Sequence, residues 1–331
     1  MHGNQIASRL PKVERVIGTR SAISLAGLAL LGALALALFY GTGELAWPAD
    51  ATGWRIVTEL RLPRALAAIT VGAMLALAGV LMQVLLRNPL ADPYVLGVSG
   101  GAAAATLAAM LLGLTGLARE LPALAGALVS MLLVFALARG AGPWSTTRML
   151  LTGVVVAAGW GALITLMLAL GDDQSLRGML YWLMGDLGYA RAGPGWLAVA
   201  ALATLLVSLR ARSLNILATG SPDAALLGEP EARRRIEIYL AGSTLAALAV
   251  ALAGPVGFVG LIVPHLMRIV VGADHRRLVP AAALGGALFL LVADTLARNL
   301  FSPRQLPVGV VTALIGVPVF LVLLHRSGRT R

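Results

Sequence analysis

The chain has 331 residues, of which 59% are hydrophobic and 12% are charged, and its mean hydropathy is +0.87. A soluble protein of this composition would precipitate, so the sequence predicts a protein that spans a membrane several times. The net charge of +11 is typical of nucleic-acid-binding proteins, but the arginines are scattered at the ends of apolar stretches and form no basic patch with aromatic residues. We therefore expect no nucleic-acid partner. The absence of cysteine excludes disulfides and thiolate metal sites.

Nine long stretches without Asp, Glu, Lys or Arg follow one another along the chain. Crossing the ~30 Å hydrocarbon core takes roughly 20 apolar residues, and most of the stretches are long enough. We interpret the first as a retained helix rather than a signal peptide, because no clean small-residue cleavage motif follows it. The stretches lie between residues 20 and 44, 64 and 87, 92 and 119, 120 and 139, 148 and 172, 191 and 210, 237 and 268, 277 and 294, and 304 and 326.

The stretch 238–267 is too long for one ordinary span, and Gly254-Pro255-Val256-Gly257 lies in its middle. Glycine and proline break a helix, so we expect a hairpin of two spans at about 236–253 and 257–272. We also expect the second span to be broken near Pro264. The sequence thus predicts an all-α membrane protein with about ten transmembrane helices.

The positions of the positive charges support ten spans. With ten spans and the N-terminus inside, 18 of the 26 Lys and Arg residues lie on the inner side, whereas nine spans leave 14 there. We predict one transmembrane domain over residues 1–331, with both termini cytoplasmic, a cytoplasmic tail at 1–20 and a cytoplasmic loop at 210–235. The outer connections are expected at about 41–61, 113–120, 172–193, 253–257 and 297–306.

The only lysine, Lys12, lies in the N-terminal tail, so no G-x-x-x-x-G-K-[ST] phosphate loop exists and the chain cannot hydrolyse ATP by that chemistry. Ion-coupled transporters usually carry carboxylates near the bilayer midplane. Here only Glu237 and Asp294 adjoin spans, both near ends, and an i,i+4 ion pair with Arg298 is enough to explain Asp294. Transport driven by a separate ATPase subunit is the more natural reading.

The loop 210–235 contains a candidate coupling helix. A serine cap, a proline at the first helical position and an early acidic residue indicate a helix start, and a glycine ends it. Its apolar side suits insertion into a groove of an ATPase subunit; the alternative is a loop helix on the surface of the bundle itself. The segment consists of Ser221, Pro222, Asp223, Ala224, Ala225, Leu226, Leu227 and Gly228.

Several long motifs occur in a fixed order over about residues 55–325. They are Arg61-Leu-Pro-Arg64, Val71-Gly72-Ala73, Leu77-Ala78-Gly79, Gln83, Arg87-Asn88-Pro89-Leu90-Ala91-Asp92-Pro93, Leu96-Gly97-Val98-Ser99-Gly100-Gly101, Tyr181-Trp182-Leu183-Met184-Gly185, Gly257-Phe258-Val259-Gly260-Leu261-Ile262-Val263-Pro264-His265 and Leu306-Pro307-Val308-Gly309-Val310-Val311-Thr312.

These motifs resemble the FecCD family of ABC-importer permeases. The resemblance implies a ten-span subunit in the inner membrane of a bacterium that works as a homodimer, with two ATP-binding subunits, a periplasmic substrate-binding protein and membrane lipid as partners. The family imports iron–siderophores, haem and cobalamin. The resemblance also implies that this chain is not an enzyme and binds no cofactor, because ATP and magnesium are used by the ATPase subunits.

The resemblance assigns roles to three arginines. Arg61, Arg64 and Arg298 lie at the outer ends of spans, where the charge rule disfavours arginine, and matching family arginines form salt bridges with glutamates of the binding protein. We expect them to dock that protein. The alternatives are anchoring to lipid headgroups and, for Arg298, the pair with Asp294.

The resemblance also points to a cytoplasmic gate. Asn88, Leu90, Thr146 and Thr147 match segments that narrow the pathway on the cytoplasmic side. Helix capping is an equally good explanation of the two threonine hydroxyls.

The cargo and the reaction class leave alternatives open. His265 lies in a motif shared across cargoes, so a structural hydrogen bond is favoured over iron ligation, and we expect no metal site. Haem is preferred to a ferric siderophore or cobalamin only on the general similarity of residues 181–188. The alternative of another class is a secondary transporter; an intramembrane enzyme would need paired catalytic groups, which the sequence lacks.

Overall fold

The computed structural model describes residues 19–41, 44–45, 47–114, 116–139, 145–188, 190, 192–220 and 226–328. A π-helical stretch, Ile56–Arg61, joins α2 to α3, a 3-10 turn, Pro93–Leu96, precedes α4, and strands β1 (Tyr40–Gly41) and β2 (Glu44–Leu45) pair antiparallel. The helices that lie in the described ranges are α1 (Thr19–Phe39), α2 (Ala51–Arg55), α3 (Leu62–Leu85), α4 (Val98–Leu111), α5 (Leu117–Arg139), α6 (Thr146–Leu170), α7 (Asp173–Leu183), α8 (Pro194–Leu209), α9 (Ala211–Thr219), α10 (Glu231–Ala253), α11 (Val259–Val271), α12 (His275–Asn299) and α13 (Val308–Gly328).

The described helices supply six or seven candidate membrane crossings by length and apolar composition. Six are long and apolar enough to cross a membrane, with α2, the π-helical stretch and α3 counted as one, and α8 with α9 gives a seventh that is bent by 55°. Three shorter apolar helices, α4, α11 and α13, complete the bundle. Together, the seven candidate crossings and the three shorter helices are roughly consistent with the ten spans that the sequence predicts.

Helix α3 is the centre of the bundle. Almost every residue from Ala65 to Leu86 is buried, because α3 is apolar on all sides and packs against α10, α11 and α12. We call the end of the bundle at the start of α3 the Arg61 end and the opposite end the Asn88 end. Helix α12 runs antiparallel to α3, so it begins at the Asn88 end.

Glycine pairs set the distance between α3 and its neighbours. A methyl group added at Gly72 would lie 2.2 Å from the carbonyl oxygen of Gly286 in α12, and one at Gly79 would lie 1.9 Å from the carbonyl oxygen of Gly260 in α11. An added methyl group would overlap these oxygens, so the paired backbones leave no room for any side chain, as is usual where membrane helices pack closely. These glycines therefore fix the central helix in place.

The hairpin predicted for residues 236–272 is confirmed, but the predicted break near Pro264 is wrong. Helix α11 continues from Val259 to Val271 with Pro264 inside it. Proline offers no N–H to the carbonyl of Gly260 four residues earlier, and that carbonyl faces Gly79 of α3 instead. The sharp bend lies at Arg210, between α8 and α9.

Helical segments also occupy two of the predicted outer connections. In the first, α2 and the π-helical stretch extend α3 toward its N-terminus, and the carboxylate of Asp50 caps α2 by accepting from the N–H of Gly53 at 2.7 Å. In the second, α7 begins after Asp172, which caps it by accepting from the N–H of Ser175. An aspartate caps each of the two segments, and because aspartate is also common in loops, the sequence did not indicate a helix at either place.

Three motif segments meet at the Arg61 end. The N–H of Gly309 donates to the carbonyl of Gly185 at 3.1 Å, and a methyl group at Gly309 would lie 2.0 Å from the carbonyl oxygen of Met184. A methyl group at Gly254 would lie 2.5 Å from the carbonyl oxygen of Trp182. The end of α7, the α10–α11 connection and the start of α13 therefore pack backbone against backbone.

Candidate functional site

A cavity of about 590 Å³ opens at the Arg61 end of the bundle. The three arginines predicted to dock a partner, Arg61, Arg64 and Arg298, all line it, and so do Tyr181 and Gln305. The structure thus brings the three together, although they come from the start of α3 and the end of α12.

Asp294 holds two of these arginines. The Nε of Arg64 donates to Oδ1 and Oδ2 of Asp294 at 2.9 and 3.2 Å, and Nη1 of Arg64 donates to Oε1 of Gln305 at 2.8 Å. The predicted i,i+4 pair is present as well, with 3.2 Å between Nε of Arg298 and Oδ2 of Asp294. Because Asp294 is 0% exposed, breaking this cluster would leave buried charges without a partner.

Arg61 and Arg298 also cap the C-terminal end of α1. Nη1 of Arg61 donates to the carbonyl of Leu38 at 2.7 Å, and Nη2 of Arg298 donates to the carbonyl of Ala37 at 3.1 Å. The last carbonyls of a helix have no partner inside it and carry partial negative charge. The arginines thus fix α1 to the rest of the bundle, a role that the sequence analysis did not foresee.

The free positive charge of the cavity belongs to Arg61. Among the described residues, no carboxylate lies within 4.0 Å of its guanidinium, whereas Arg64 and Arg298 share Asp294. Glu59 and Asp186 line the same cavity. Docking by these arginines remains a prediction, and the geometry makes Arg61 its main candidate.

The loop after α3 places Asn88 and Leu90 at the Asn88 end. The side-chain Oδ1 of Asn88 accepts from the N–H of Leu90 at 2.9 Å, and its backbone N–H donates to the carbonyl of Gln83 at 3.1 Å. Asn88 is exposed and Leu90 is half-buried. Asn88 therefore shapes the loop, which leaves Leu90 as its apolar tip.

Thr146 and Thr147 form the first turn of α6 at the same end. The cap of this helix is Ser145, whose Oγ accepts from the N–H of Arg148 at 3.3 Å, so the capping role falls on the preceding serine. A methyl group at Gly153, two turns on, would lie 2.5 Å from the carbonyl oxygen of Val95. This contact joins α6 to the turn that follows the Asn88 loop. The role of Thr146 and Thr147, with Asn88 and Leu90, as a gate remains a prediction.

The comparisons with known proteins identify the family of this chain. The FecCD transport family matches residues 21–326. The chain belongs to the FecCD transport family. It is 42% identical over 314 residues to the vitamin B12 import system permease protein BtuC of Salmonella typhi and to that of Salmonella newport, with 92% of this chain and 95% of each relative covered.

Two solved structures are similar to the fold. One, described as an inward-facing conformation of a metal-chelate type ABC transporter, has a TM-score of 0.85 and 31% identity, and the match covers 93% of this chain and 99% of that one. PsaBC from Streptococcus pneumoniae in complex with Fab has a TM-score of 0.53 at 15% identity, with 79% and 89% covered, and shows the fold alone. The FecCD member is therefore a transport subunit and not an enzyme.

The coupling segment of this FecCD protein lies partly outside the described residues. Ser221, Pro222, Asp223, Ala224 and Ala225 fall there. Its remaining apolar residues are exposed on the Asn88 end, with Leu226 86% and Leu227 64% exposed, and Gly228 has a φ of +70°. Exposed leucines beside a left-handed glycine suit a segment that another protein covers.

Two polar clusters hold the flanks of the coupling segment. In the first cluster, Glu229 accepts from the hydroxyl of Ser213 and, at 2.7 Å, from Nε of Arg234. The Ser213 hydroxyl and the Arg234 guanidinium lower the pKa of Glu229. In the other cluster, Nδ2 of Asn215 donates to Oδ1 of Asp274 at 2.8 Å, and this bond is the largest cause that lowers the pKa of Asp274.

A further ion pair ties the Asn88 loop to the helix that follows the coupling segment. Nη2 of Arg87 lies 2.9 Å from Oε1 of Glu231, the first residue of α10. Arg87 itself has a φ of +49° immediately after α3. A displacement of α10 would therefore act directly on the loop that carries Asn88.

The prediction of a structural hydrogen bond at His265 is wrong for Nδ1, which is buried without a hydrogen-bond partner among the described residues. His265 precedes Arg268 by one turn of α11. In the described ranges, no group of three His, Cys, Asp or Glu side chains is arranged to hold a metal ion.

Sequence reasoning missed the residues that act as partners. Asp294 was expected to pair only with Arg298, and its second partner Arg64 is 230 positions away. Glu231 could have been suspected from Arg235, since an acid four residues before an arginine forms a helical ion pair. Glu229 lies before α10 and pairs with Arg234 five residues on, which that rule does not cover. Nothing in the sequence around Asn215 indicated its contact with Asp274.

Proposed function

We propose that this chain is the transmembrane permease of an ATP-binding-cassette importer whose cargo is a corrinoid of the cobalamin class. The observation that carries the proposal is the 42% identity, over 92% of the chain, to permeases named for vitamin B12 import. The similarity to a metal-chelate type transporter supports the broader class of cargo.

The cobalamin reading replaces the preference for haem. That preference depended only on the general similarity of residues 181–188. Of these, Tyr181, Asp186 and Gly188 line the cavity at the Arg61 end. The structure gives three others a packing role: Trp182, Met184 and Gly185 contact the backbones of the α10–α11 connection and α13. Because those contacts are made by backbone atoms, they offer no basis for choosing between haem and a corrinoid.

The working assembly follows from the same family. We infer that two copies of the permease combine with two ATP-binding subunits at the Asn88 end and with a substrate-binding protein at the Arg61 end. The protein would lie in a bacterial inner membrane, among its lipids, with the Asn88 end and both termini in the cytoplasm. The excess of positive charge on that side supports this orientation.

Energy would reach the pathway through contacts on this chain. The chain has no phosphate-loop lysine, so the ATPase would supply hydrolysis, and its movement would be received by residues 221–228. Ser213 and Glu229 join the two flanks of that segment, and Glu231 connects its far side to Arg87 beside the gate loop. A shift of the segment would thereby move the loop that carries Asn88 and Leu90.

Uptake by the reconstituted complex tests the cargo. Proteoliposomes that contain the permease with its ATPase and binding protein should accumulate labelled cyanocobalamin when ATP is enclosed on the Asn88 side, and excess haem or ferric siderophore should not compete. Accumulation of haem or siderophore with no uptake of cyanocobalamin would refute the corrinoid proposal.

The same vesicles separate the importer from a secondary transporter. Permease reconstituted without the ATPase should show no uptake under a proton or sodium gradient, and a non-hydrolysable ATP analogue should not restore it. Uptake driven by an ion gradient alone would favour secondary transport and would contradict the ABC assignment.

A further inference from the structure

A second cavity, of about 210 Å³, lies at the Asn88 end, where α3, α9 and α11 finish and α12 begins. Gln83, buried in the last turn of α3, lines it together with Asn88 and His275. The charged side chains on its wall are both arginines, Arg87 and Arg268, and none of the described residues that line it is a carboxylate.

The positive charge of Arg268 is not balanced inside the described part of the protein. Its Nη2 donates to Oε1 of Gln83 at 2.9 Å, while Nε2 of Gln83 donates to the carbonyl of Leu261 at 3.2 Å. A neutral amide cannot neutralise a guanidinium, and no carboxylate of the described ranges lies within 4.0 Å of Arg268. Arg87 differs, since it pairs with Glu231.

His275 presents a buried nitrogen without a partner beside this charge. The residue is 3% exposed, and its Nδ1 lies 2.7 Å from Oδ1 of Asn215. Nδ2 of Asn215 donates to Asp274, so Oδ1 is the amide oxygen and Nδ1 carries a proton. Nε2 is buried and has no described hydrogen-bond partner. Buried polar atoms are nearly always paired, so Nε2 is available to a bound group that can donate to it.

The one carboxylate near His275 is already occupied. Oδ1 of Asp274 accepts from Nδ2 of Asn215 at 2.8 Å and from the N–H of Arg276 at 3.0 Å, which caps α12. Asp274 therefore serves the helix start, and the cavity keeps the charge of Arg268.

We propose that this cavity binds a phosphate group. Its oxygens would accept from the free N–H groups of Arg268, the side chain best suited to oxyanions. A monohydrogen phosphate also has an O–H that can donate to a neutral Nε2 of His275, and a protonated ring would donate instead. A sulfate has no such proton, so the site should prefer phosphate to sulfate while His275 is neutral.

The phosphate group has two possible sources, which share the anionic oxygens that Arg268 would hold. One is dissolved inorganic phosphate, and the other is the phosphodiester of a phospholipid, since basic cavities between membrane helices bind lipid headgroups. A phosphodiester has no O–H, so it would use Nε2 of His275 only when the ring is protonated. In either case the anion would join the last turn of α3 to the ends of α11 and the start of α12, next to the gate loop. The proposal does not depend on the cargo.

Binding measurements on the full-length protein test the proposal. In nanodiscs of phosphatidylcholine alone, labelled inorganic phosphate should bind saturably, and sulfate should compete poorly at neutral pH. In discs with phosphatidylglycerol, native mass spectrometry should instead reveal a retained phospholipid if the lipid is the source. The matched variants are Arg268→Gln and Gln83→Glu, with Arg148→Gln as the control.

The two variants act by different routes. Arg268→Gln removes the cation, and Gln83→Glu places a carboxylate at the 2.9 Å contact, which neutralises Arg268 internally and keeps its partner. Each should weaken binding of phosphate, or retention of the phospholipid, at least tenfold, whereas Arg148→Gln, on the exposed first turn of α6, should not. Binding of neither probe, or binding unchanged in both variants, would overturn the proposal.

Discussion

Arg64 donates from Nε to both carboxylate oxygens of Asp294, although the two residues stand 230 positions apart in the chain. The contact joins the first turn of α3 to the last turns of α12. Asp294 also holds Arg298, so one buried carboxylate serves two guanidiniums. An ion pair of this kind contributes little when intact and costs much when one partner is removed.

Asp294→Asn should therefore destabilise the protein strongly. Two guanidiniums that are mostly shielded from water would lose their counter-charge, and we expect the free energy of unfolding to fall by about 3–5 kcal/mol. Chemical denaturation in a mild detergent measures it. Glu59→Gln is the control, because Glu59 pairs with Arg55 at 3.4 Å in an exposed position and should cost less than about 1 kcal/mol. Equal stability of the two variants would contradict the role of Asp294.

Arg61→Glu should weaken binding of the substrate-binding protein without a comparable loss of stability. Arg61 is the cavity arginine without a carboxylate within 4.0 Å in the described ranges. Its attraction to acidic partner groups should be screened by salt, so the difference from wild type should shrink as ionic strength rises.

Arg304→Glu is the matched control for docking, since Arg304 is exposed in the connection after α12. It adds the same charge change at the same end but outside the cavity. If Arg61→Glu and Arg304→Glu reduce the affinity equally at low salt, general electrostatics and not the cavity governs docking. If neither substitution reduces the affinity, the assignment of Arg61 to docking is wrong.

The sequence predicted what depends on apolar length and local spacing. An all-helical bundle of apolar spans was predicted from the charge-free stretches, and the pair of Asp294 with Arg298 was predicted from an i,i+4 spacing. The meeting of Arg64 with Asp294 could not be predicted, because it depends on how α3 packs against α12. That packing is set by Gly72 and Gly286, which are ordinary glycines in the sequence.

The sequence analysis expected a break near Pro264 that is absent and did not expect the bend at Arg210, and the two errors have opposite causes. Proline at 264 was expected to interrupt a span, but the carbonyl that it leaves free meets Gly79, and the helix continues. The bend of 55° at Arg210 has neither glycine nor proline. It occurs where α9 is held against α12 by Asn215 and against Glu229 by Ser213, which are tertiary contacts.

Cysteines at the gate should report its opening. The chain has no native cysteine, so Leu90→Cys and Thr146→Cys give a clean background. In a resting complex closed at the Asn88 end, both should be protected from an impermeant thiol reagent on that side, and they should react during ATP turnover. Leu112→Cys, exposed in the connection at the other end, should react only from the opposite side. Equal labelling at rest and during turnover would place the constriction elsewhere.

Leu226→Asp with Leu227→Asp should uncouple transport from ATP hydrolysis. Both leucines are exposed on the Asn88 end, and two charges would be forced into an apolar contact if an ATPase groove covers them. Membrane insertion should be unchanged, but co-purification of the ATPase should fall. Normal co-purification and transport in the double variant would show that this segment is not the contact.

The ion pair of Glu229 should keep coupling constant until the pH falls below the ordinary pKa of this carboxyl, 4.5. The Ser213 hydroxyl and Arg234 lower its pKa from the ordinary value of 4.5, so its contribution is fully present above that value and is lost as the pH falls through the lower pKa of the folded protein. Transport per ATP should thus stay constant from pH 7 to pH 5. At pH 7, Glu229→Gln should lower transport per ATP severalfold, because an uncharged amide holds Ser213 and Arg234 less tightly. ATPase binding should persist, and Glu120→Gln, at the other end, should behave as wild type. A coupling ratio unchanged by Glu229→Gln would show that the contact between α9 and residue 229 transmits nothing.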